Sequence, residues 1–230
     1  MGFPLWAWLF VFPSILALLS RIFRAPLQDR LKPLWRIMDK IYRGSGLVAA
    51  VFMMTILAII IVQMITRWVG LPFQGSTEFA GYAMAATSFF ALSYALTTGA
   101  HIRVSILLNI NHFTKMWMDV FALLLGAITA TYFARFAIKT NFMSKILNDR
   151  TQGQDQVPDW VLAFFGMFKT SPAEWGQLWS GTTGEWVFTP VWLPQLPMSV
   201  GTILLAVALW DYLIRLLING ESAIKGETVE

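Results

Sequence analysis

The stretch EFAGYAMAATSFFALSYALTTGAHIRV, residues 78–104, is long enough to cross a bilayer, yet its composition is unusual for a helix that faces lipid. A hydrocarbon core of about 30 Å needs roughly 20 apolar residues in a helix. The stretch has that length but is dense in glycine, alanine, serine and threonine, which let helix backbones approach closely in membranes. We therefore expect it to pack against other helices, either in this chain or in another subunit. The residues expected to form the packing face are Gly81, Ala85, Ala86, Ser88, Ser93 and Gly99.

The composition of the whole chain indicates an integral membrane protein. Of its 230 residues, 57% are hydrophobic and 13% are charged, whereas a soluble domain carries about 25% charged residues. The absence of cysteine excludes disulfides and cysteine-ligated metals. Two histidines in the whole chain disfavour a haem or a histidine-rich metal site. The net charge of +4 comes from basic residues in segments next to the predicted membrane helices, so it does not indicate a nucleic-acid partner.

Hydropathy predicts an all-α, polytopic membrane helix bundle with about five transmembrane helices and additional interfacial amphipathic helices. The predicted spans are residues 3–20, 46–66, 78–100, 116–138 and 197–218. The first has only the minimum spanning length, and a re-entrant or interfacial anchor is the alternative for it. Residues 21–45 are basic and amphipathic, which predicts a helix on the cytoplasmic membrane face or a helix that docks on a partner.

Charge asymmetry predicts the orientation of the chain. If the helices alternate, the basic segments 21–45, 103–115 and 215–225 lie together on the cytoplasmic side. The N-terminus is then outside and the C-terminus is cytoplasmic. Residues 139–196 form an outer insertion with one or two interfacial helices. Its residues Trp160, Trp175 and Trp179 are expected either to anchor it at the membrane–water boundary or to form a landing surface for a partner.

Polar residues flank the small-residue helix at both ends. Glu78 lies in its first turn, where it either sits at the positive end of the helix dipole or also pairs with Arg67 across the short connection. His101 and Arg103 follow the helix, and we expect a loop hydrogen bond from the first and a headgroup contact from the second.

The sequence shows none of the motifs typical of an enzyme or of a complete transporter. It has no phosphate-binding glycine loop and no nucleophile elbow. The positions expected at mid-membrane depth are uncharged, and the sequence shows no pair of interrupted repeats. We interpret the chain as a non-catalytic membrane subunit that contacts a larger partner. The alternatives are the membrane anchor of a redox or other enzyme complex, and a stand-alone assembly factor or small channel.

Four features follow one another along the chain in a recognisable order. They are Glu78 at the start of a small-residue helix, the sequence GAHIRV at its end (99–104), the proline-rich sequence VWLPQLPMSVG before the last helix (191–201), and the pair Trp210 and Asp211. In these features the chain resembles the DctQ-type small membrane subunit of TRAP (tripartite ATP-independent periplasmic) transporters. The similarity covers about residues 35–140 and 185–218. An extra helix at 3–20 and an insertion at about 142–183 depart from the basic pattern and resemble the larger variants of the family.

The resemblance implies a bacterial inner-membrane system with three components. These are a periplasmic substrate-binding protein, a small subunit and a large multi-helix permease subunit. It implies that the large subunit carries the sodium and substrate sites and moves as an elevator, while the small subunit braces its static scaffold. No cofactor and no nucleic acid is expected on this chain, and an organic acid is the implied substrate. The residues Arg67, Glu78, His101, Arg103 and Asp211 would then order the helix ends, with membrane lipids in the seam between subunits.

Overall fold

The computed structural model describes residues 6–22, 24–71, 73–99, 112–167 and 170–220, and it is almost entirely helical. The helices are α1 (Phe12–Ile22, preceded by the π-helical segment Ala7–Val11), α2 (Arg24–Val69), α3 (Ser76–Thr98), α4 (His112–Ile146), α5 (Asp159–Met167), α6 (Trp175–Ser180) and α7 (Trp192–Asn219). Two short strands that the sequence did not predict, β1 (Gln156–Pro158) and β2 (Trp186–Phe188), pair antiparallel with Val157 opposite Val187. The predicted helical membrane bundle is confirmed.

Four helices in the described part of the chain are long and apolar enough to span a membrane, whereas about five were predicted. The four spans are Leu31–Val69, Ser76–Thr98, Met116–Ile146 and Trp192–Asn219. The segment predicted at 3–20 is described from residue 6 onward, as a π-helical segment of 5 residues followed by the 11 residues of α1. At about 1.5 Å per residue these rise roughly 24 Å, which is less than the hydrocarbon core of about 30 Å.

Helix α2 is one continuous helix of 46 residues. The sequence instead predicts two segments, an amphipathic one that ends at residue 45 and a transmembrane span that begins at residue 46. The division falls in the triplet Gly44-Ser45-Gly46, which would weaken an isolated helix. Here Ser45 and Gly46 lie against α3, whereas no atom elsewhere in the described chain lies within 4 Å of a Cβ atom built at Gly44. A Cβ atom at Gly46 would lie 2.6 Å from Cγ of Tyr94, and the hydroxyl groups of Ser45 and Ser93 are 2.7 Å apart. Close approach of the two helices therefore accounts for Ser45 and Gly46.

Helix α7 lies at the centre of the bundle. It contacts α1, α2, α3 and α4. In its most apolar stretch of 18 residues 61% of the residues are buried, whereas in the corresponding stretch of α2 only 6% are buried. Its residues Leu209, Leu213 and Leu216 belong to the main hydrophobic cluster. The helix begins at Trp192, five residues before the predicted start, and includes Pro197. Pro194 is tolerated because it falls in the first turn, where backbone N–H groups have no partner in the helix.

Residues 147–191 join α4 to α7 and are called the insertion below. Backbone hydrogen bonds close its base, from Val191 N to Asp149 O (3.0 Å) and from Thr151 N to Thr189 O (3.0 Å). The insertion also contacts the turn between α2 and α3, so both connections lie at one end of the bundle, called the insertion end. The other end is formed by the first half of α2 and the last turns of α7, and is called the Arg215 end.

Candidate contact surfaces and their family

One side of α3 is buried against the chain's own helices. Ala86 and Ser93 are fully buried, and Ala83 and Leu96 are almost so. On the α7 side the backbones come close, since a Cβ atom at Gly201 would lie 2.6 Å from the carbonyl oxygen of Phe89. Two of the six predicted packing residues, Ala86 and Ser93, thus lie inside this chain's bundle.

The opposite side of α3 is not covered by the rest of the described chain. Gly81 and Ser88 are exposed there, while Ala85 and Gly99 are half-buried. No atom lies within 4 Å of a Cβ atom built at Gly81. The hydroxyl of Ser88 donates to the carbonyl oxygen of Met84 at 3.0 Å, so it is satisfied within its own helix. We call the exposed row Thr77, Gly81, Met84, Ser88 and Thr98 the open face of α3.

The insertion is held on the first two turns of α3 by polar contacts. The hydroxyl of Tyr82 donates to Oδ2 of Asp155 at 2.6 Å, and the backbone N–H of Gln154 donates to Oε1 of Glu78 at 3.2 Å. Gly75, with φ of 75°, permits this contact, because a Cβ atom there would lie 2.7 Å from the carbonyl oxygen of Gln154. Thr189 binds the carbonyl oxygen of Asp155 through both its N–H and its hydroxyl. The partner of Glu78 is therefore the insertion.

Arg67 lies at the same end and forms no ion pair with Glu78 in the described part of the chain. Its side chain is exposed. It lines an open cleft of about 430 Å³ together with Gln63, Gln74 and Gln154. The alternative in which Arg67 and Glu78 pair across the connection is thus not the observed geometry.

A buried arginine organises the Arg215 end. The guanidinium of Arg215 contacts Asp39 of α2 at 2.8 Å and Asp211 of α7 at 2.7 Å. Tyr42 donates a hydrogen bond of 3.2 Å to Asp211. The guanidinium also lies over the rings of Trp35, at 5.4 Å from the centroid, and Tyr212, at 5.0 Å. Sequence reasoning found Asp211 but missed the other members. The spacing of four residues between Asp211 and Arg215 is the signal that could have found one of them.

The three predicted tryptophans lie on the two helices of the insertion and are exposed. Their exposed fractions are 46% for Trp160, 43% for Trp175 and 50% for Trp179. Trp175 also holds the insertion together, because its Nε1 donates to the carbonyl oxygen of Met167 at 3.0 Å.

Asp159 closes the insertion at the start of α5. Its Oδ2 accepts hydrogen bonds from the backbone N–H (2.6 Å) and hydroxyl (3.0 Å) of Thr183, and its Oδ1 accepts from the N–H of Gly184 at 3.0 Å. These bonds, above all that from the N–H of Thr183, hold the pKa of Asp159 below its ordinary value because they favour the carboxylate.

His101 and Arg103 lie outside the described residues. Within the described part, no group of three or more histidine, aspartate or glutamate side chains converges to hold a metal ion. Polar contacts thus connect the elements at both ends of the helix bundle. Apolar surfaces are exposed on the helices between the two ends and on the insertion.

Comparison with known proteins supports one family. The family model of the DctQ component of tripartite ATP-independent periplasmic transporters matches residues 56–168, just under half of the chain. The match runs from the last third of α2 through α3 and α4 to the end of α5. Comparisons with curated proteins and with solved structures give no match. Residues 56–168 of this chain match the DctQ component family, the small component of TRAP transporters, as the sequence resemblance predicted.

Proposed function

We propose that this chain braces the static scaffold of a large permease subunit during sodium-coupled uptake of an organic acid delivered by a periplasmic binding protein. In this proposal the sodium and substrate sites lie on the large subunit, and this chain has no catalytic role. The protein lies in the bacterial inner membrane, with its N-terminus and the insertion on the periplasmic side. The family match supports the assignment to a transport system of this type, and the surface of the bundle supports the bracing role.

The open face of α3 is the observation that carries the proposal. The exposed surfaces of the neighbouring helices carry large side chains, such as Leu47 and Met54 on α2 and Phe121 on α4, which are 70%, 64% and 67% exposed. Large apolar side chains suit contact with lipid tails. The open face has one such side chain, Met84, which is 59% exposed, but it also exposes Gly81 and Ser88. Small residues in membranes favour close packing of a second helix.

The polar contacts at the two ends of the bundle also support a bracing role. At the insertion end, hydrogen bonds from Tyr82 and Gln154 connect the insertion to α3. At the Arg215 end, Arg215 connects α7 to Asp39 of α2. A bundle fastened at both ends resists relative sliding of its helices, and a static scaffold requires that resistance while the transport domain moves.

Co-purification tests the partner directly. The chain, tagged and extracted from native membranes in a mild detergent, should bring down one large multi-helix membrane protein. If no such protein accompanies it, the proposal fails. A haem absorption band in the purified chain would instead favour the anchor of a redox complex.

Reconstituted transport tests the role. The large subunit and the binding protein in proteoliposomes should take up substrate along a sodium gradient when this chain is present. Omission of this chain should abolish uptake, and replacement of sodium by potassium should do the same. Uptake that persists without this chain would contradict the proposed brace.

A further inference from the structure

Helices α5 and α6 form a short hairpin that the rest of the described chain does not cover. None of the residues of α5 or of α6 is buried. The main contacts of α5 are with α6 and β1, and those of α6 are with α5 and the 3₁₀ turn Pro172–Glu174. Large aromatic side chains are exposed on both helices, with exposed fractions of 46% for Trp160, 49% for Phe164 and 50% for Trp179.

The hairpin is nearly free of charge. From Asp159, the first residue of α5, to Ser180 the sequence contains one cation, Lys169, and two anions, Asp159 and Glu174. Ordinary soluble domains carry about 25% charged residues, so this composition is poorly suited to a hairpin surrounded by water. Because the net charge is only −1, and the carboxylate of Asp159 binds the backbone of Thr183 and Gly184 within the insertion, a partner selected by electrostatic attraction is also disfavoured.

The position of the hairpin is fixed by its attachment to α3. Asp155 accepts the hydrogen bond of Tyr82, which lies in the second turn of a spanning helix. The first residue of α5, Asp159, follows four residues later, and four residues span at most about 14 Å even when fully extended. The polar headgroup layer adds roughly 5–8 Å on each side of the hydrocarbon core. The start of the hairpin is therefore within reach of the headgroup layer.

We propose that the α5–α6 hairpin binds the phospholipid surface at the insertion end, with its aromatic side chains inserted at the boundary between headgroups and acyl chains. Tryptophan is enriched at this depth because its ring is apolar while its N–H can reach polar groups. Amphipathic elements bind there through buried apolar area plus any attraction between opposite charges. Here the second contribution is absent, so binding should not require anionic lipid.

Single-cysteine spin labelling tests this surface, and the chain suits the method because it contains no native cysteine. Phe164→Cys and Trp179→Cys are labelled in the full-length chain, reconstituted alone in nanodiscs. One set of nanodiscs contains only phosphatidylcholine, and a second also contains phosphatidylglycerol. Collisions of each label with oxygen, which concentrates in bilayers, are compared with collisions with a water-soluble nickel chelate.

Two reference positions calibrate the measurement. Met54→Cys on α2, a 64% exposed position within a span, provides the lipid reference. Gln152→Cys, at an exposed position of the insertion loop, provides the aqueous reference. The Phe164 and Trp179 labels should shift towards the Met54 reference, with reduced nickel collisions, and to the same extent in both lipid compositions.

Two results would overturn the proposal. Labels that collide with nickel as often as the Gln152 reference would show a hairpin in water, open to a protein partner. Labels shielded only in the presence of phosphatidylglycerol would show electrostatic binding. Because the chain is measured alone, neither result depends on whether it assembles with a permease subunit.

Discussion

The hydroxyl of Tyr82 donates a hydrogen bond of 2.6 Å to Oδ2 of Asp155, a residue 73 positions later in the chain. Asp155 is completely buried, and its other carboxylate oxygen has no hydrogen-bond partner in the described part of the chain. A buried carboxylate with so few partners is costly unless those it has are kept. The contact therefore fastens the insertion to a spanning helix.

Tyr82→Phe should loosen the insertion and destabilise the protein. The variant keeps the ring and removes only the donor, so the Asp155 carboxylate loses its side-chain partner. Loss of one partner of a buried polar group costs about 1–3 kcal/mol, which thermal unfolding in detergent can detect. Tyr132→Phe is the matched control, since Tyr132 is 57% exposed on α4 and packs on Phe136 through its ring. Equal effects of the two substitutions would contradict a specific role for the Tyr82 hydroxyl.

Two glycines in the bundle should respond to alanine with opposite signs. Gly201→Ala places a Cβ atom 2.6 Å from the carbonyl oxygen of Phe89, so α3 and α7 must move apart and the melting temperature should fall. Gly126→Ala places its Cβ atom 3.5 Å from the side chain of Leu209, an ordinary contact. Replacement of a helical glycine by alanine favours the helix by up to about 1 kcal/mol, so this variant should melt no lower than the wild type. A melting temperature unchanged by Gly201→Ala would mean that the two backbones are not in contact.

The helical membrane class could be predicted from the sequence because length and hydropathy are properties of each segment taken alone. The extent of α2 could not, because Gly44-Ser45-Gly46 resembles a helix break until Tyr94 and Ser93 are placed against it. The role of the triplet depends on another helix. Local sequence patterns carry no information about that neighbour.

The site residues show the same division between local and tertiary information. The composition of α3 identified a packing helix, but not which of its rows is covered, because that depends on where α2 and α7 lie. Asp211 was recognised as part of the pair Trp210 and Asp211 that contributes to the family resemblance, and Arg215 lies four residues beyond it. Asp39 could not be assigned to the same cluster from sequence, since it belongs to a helix more than 170 positions away.

Substitutions on the two sides of α3 should have different effects, on folding for the buried side and on assembly with the large subunit for the open face. Ala86→Leu inserts a large side chain at a fully buried position and should destabilise the isolated chain by about 1–3 kcal/mol, as overpacked cores do. Ser88→Leu changes the open face and should leave the isolated chain within roughly 0.5 kcal/mol of wild type. It should nevertheless reduce co-purification of the large subunit. Met54→Leu, at a position exposed on α2, controls for a change on a lipid-facing surface. Full co-purification with Ser88→Leu would show that the open face is not the interface.

Arg215→Met should be among the most destabilising single substitutions in the bundle. The side chain of Arg215 is 8% exposed and holds two carboxylates, those of Asp39 and Asp211. Removing one partner of a buried ion pair costs about 3–5 kcal/mol, because the charges left behind are uncompensated. Asp39→Asn should cost less, since Asp39 is 42% exposed and water can compensate for the change. Arg135→Met, at an exposed position on α4, is the control. A similar loss of stability in Arg135→Met and Arg215→Met would contradict a special role for the ion pairs of Arg215.

Asp159 should make the closure of the insertion sensitive to acid. Its folded pKa is lowered, chiefly by the backbone N–H of Thr183, so the folded protein favours the carboxylate more than the unfolded chain does. The resulting stabilisation is fully present above the ordinary aspartate pKa of about 3.9, and it is lost as the pH falls through the lower, folded pKa. Asp159→Asn lacks the charge at every pH. Amide hydrogen exchange of Thr183 and Gly184, whose N–H groups bind the carboxylate, should therefore be faster in the variant at neutral pH. The difference from wild type should shrink as Asp159 becomes protonated. A difference that stays constant down to the pH at which wild-type Asp159 is neutral would show that Asn disturbs the loop by its shape, not by the missing charge.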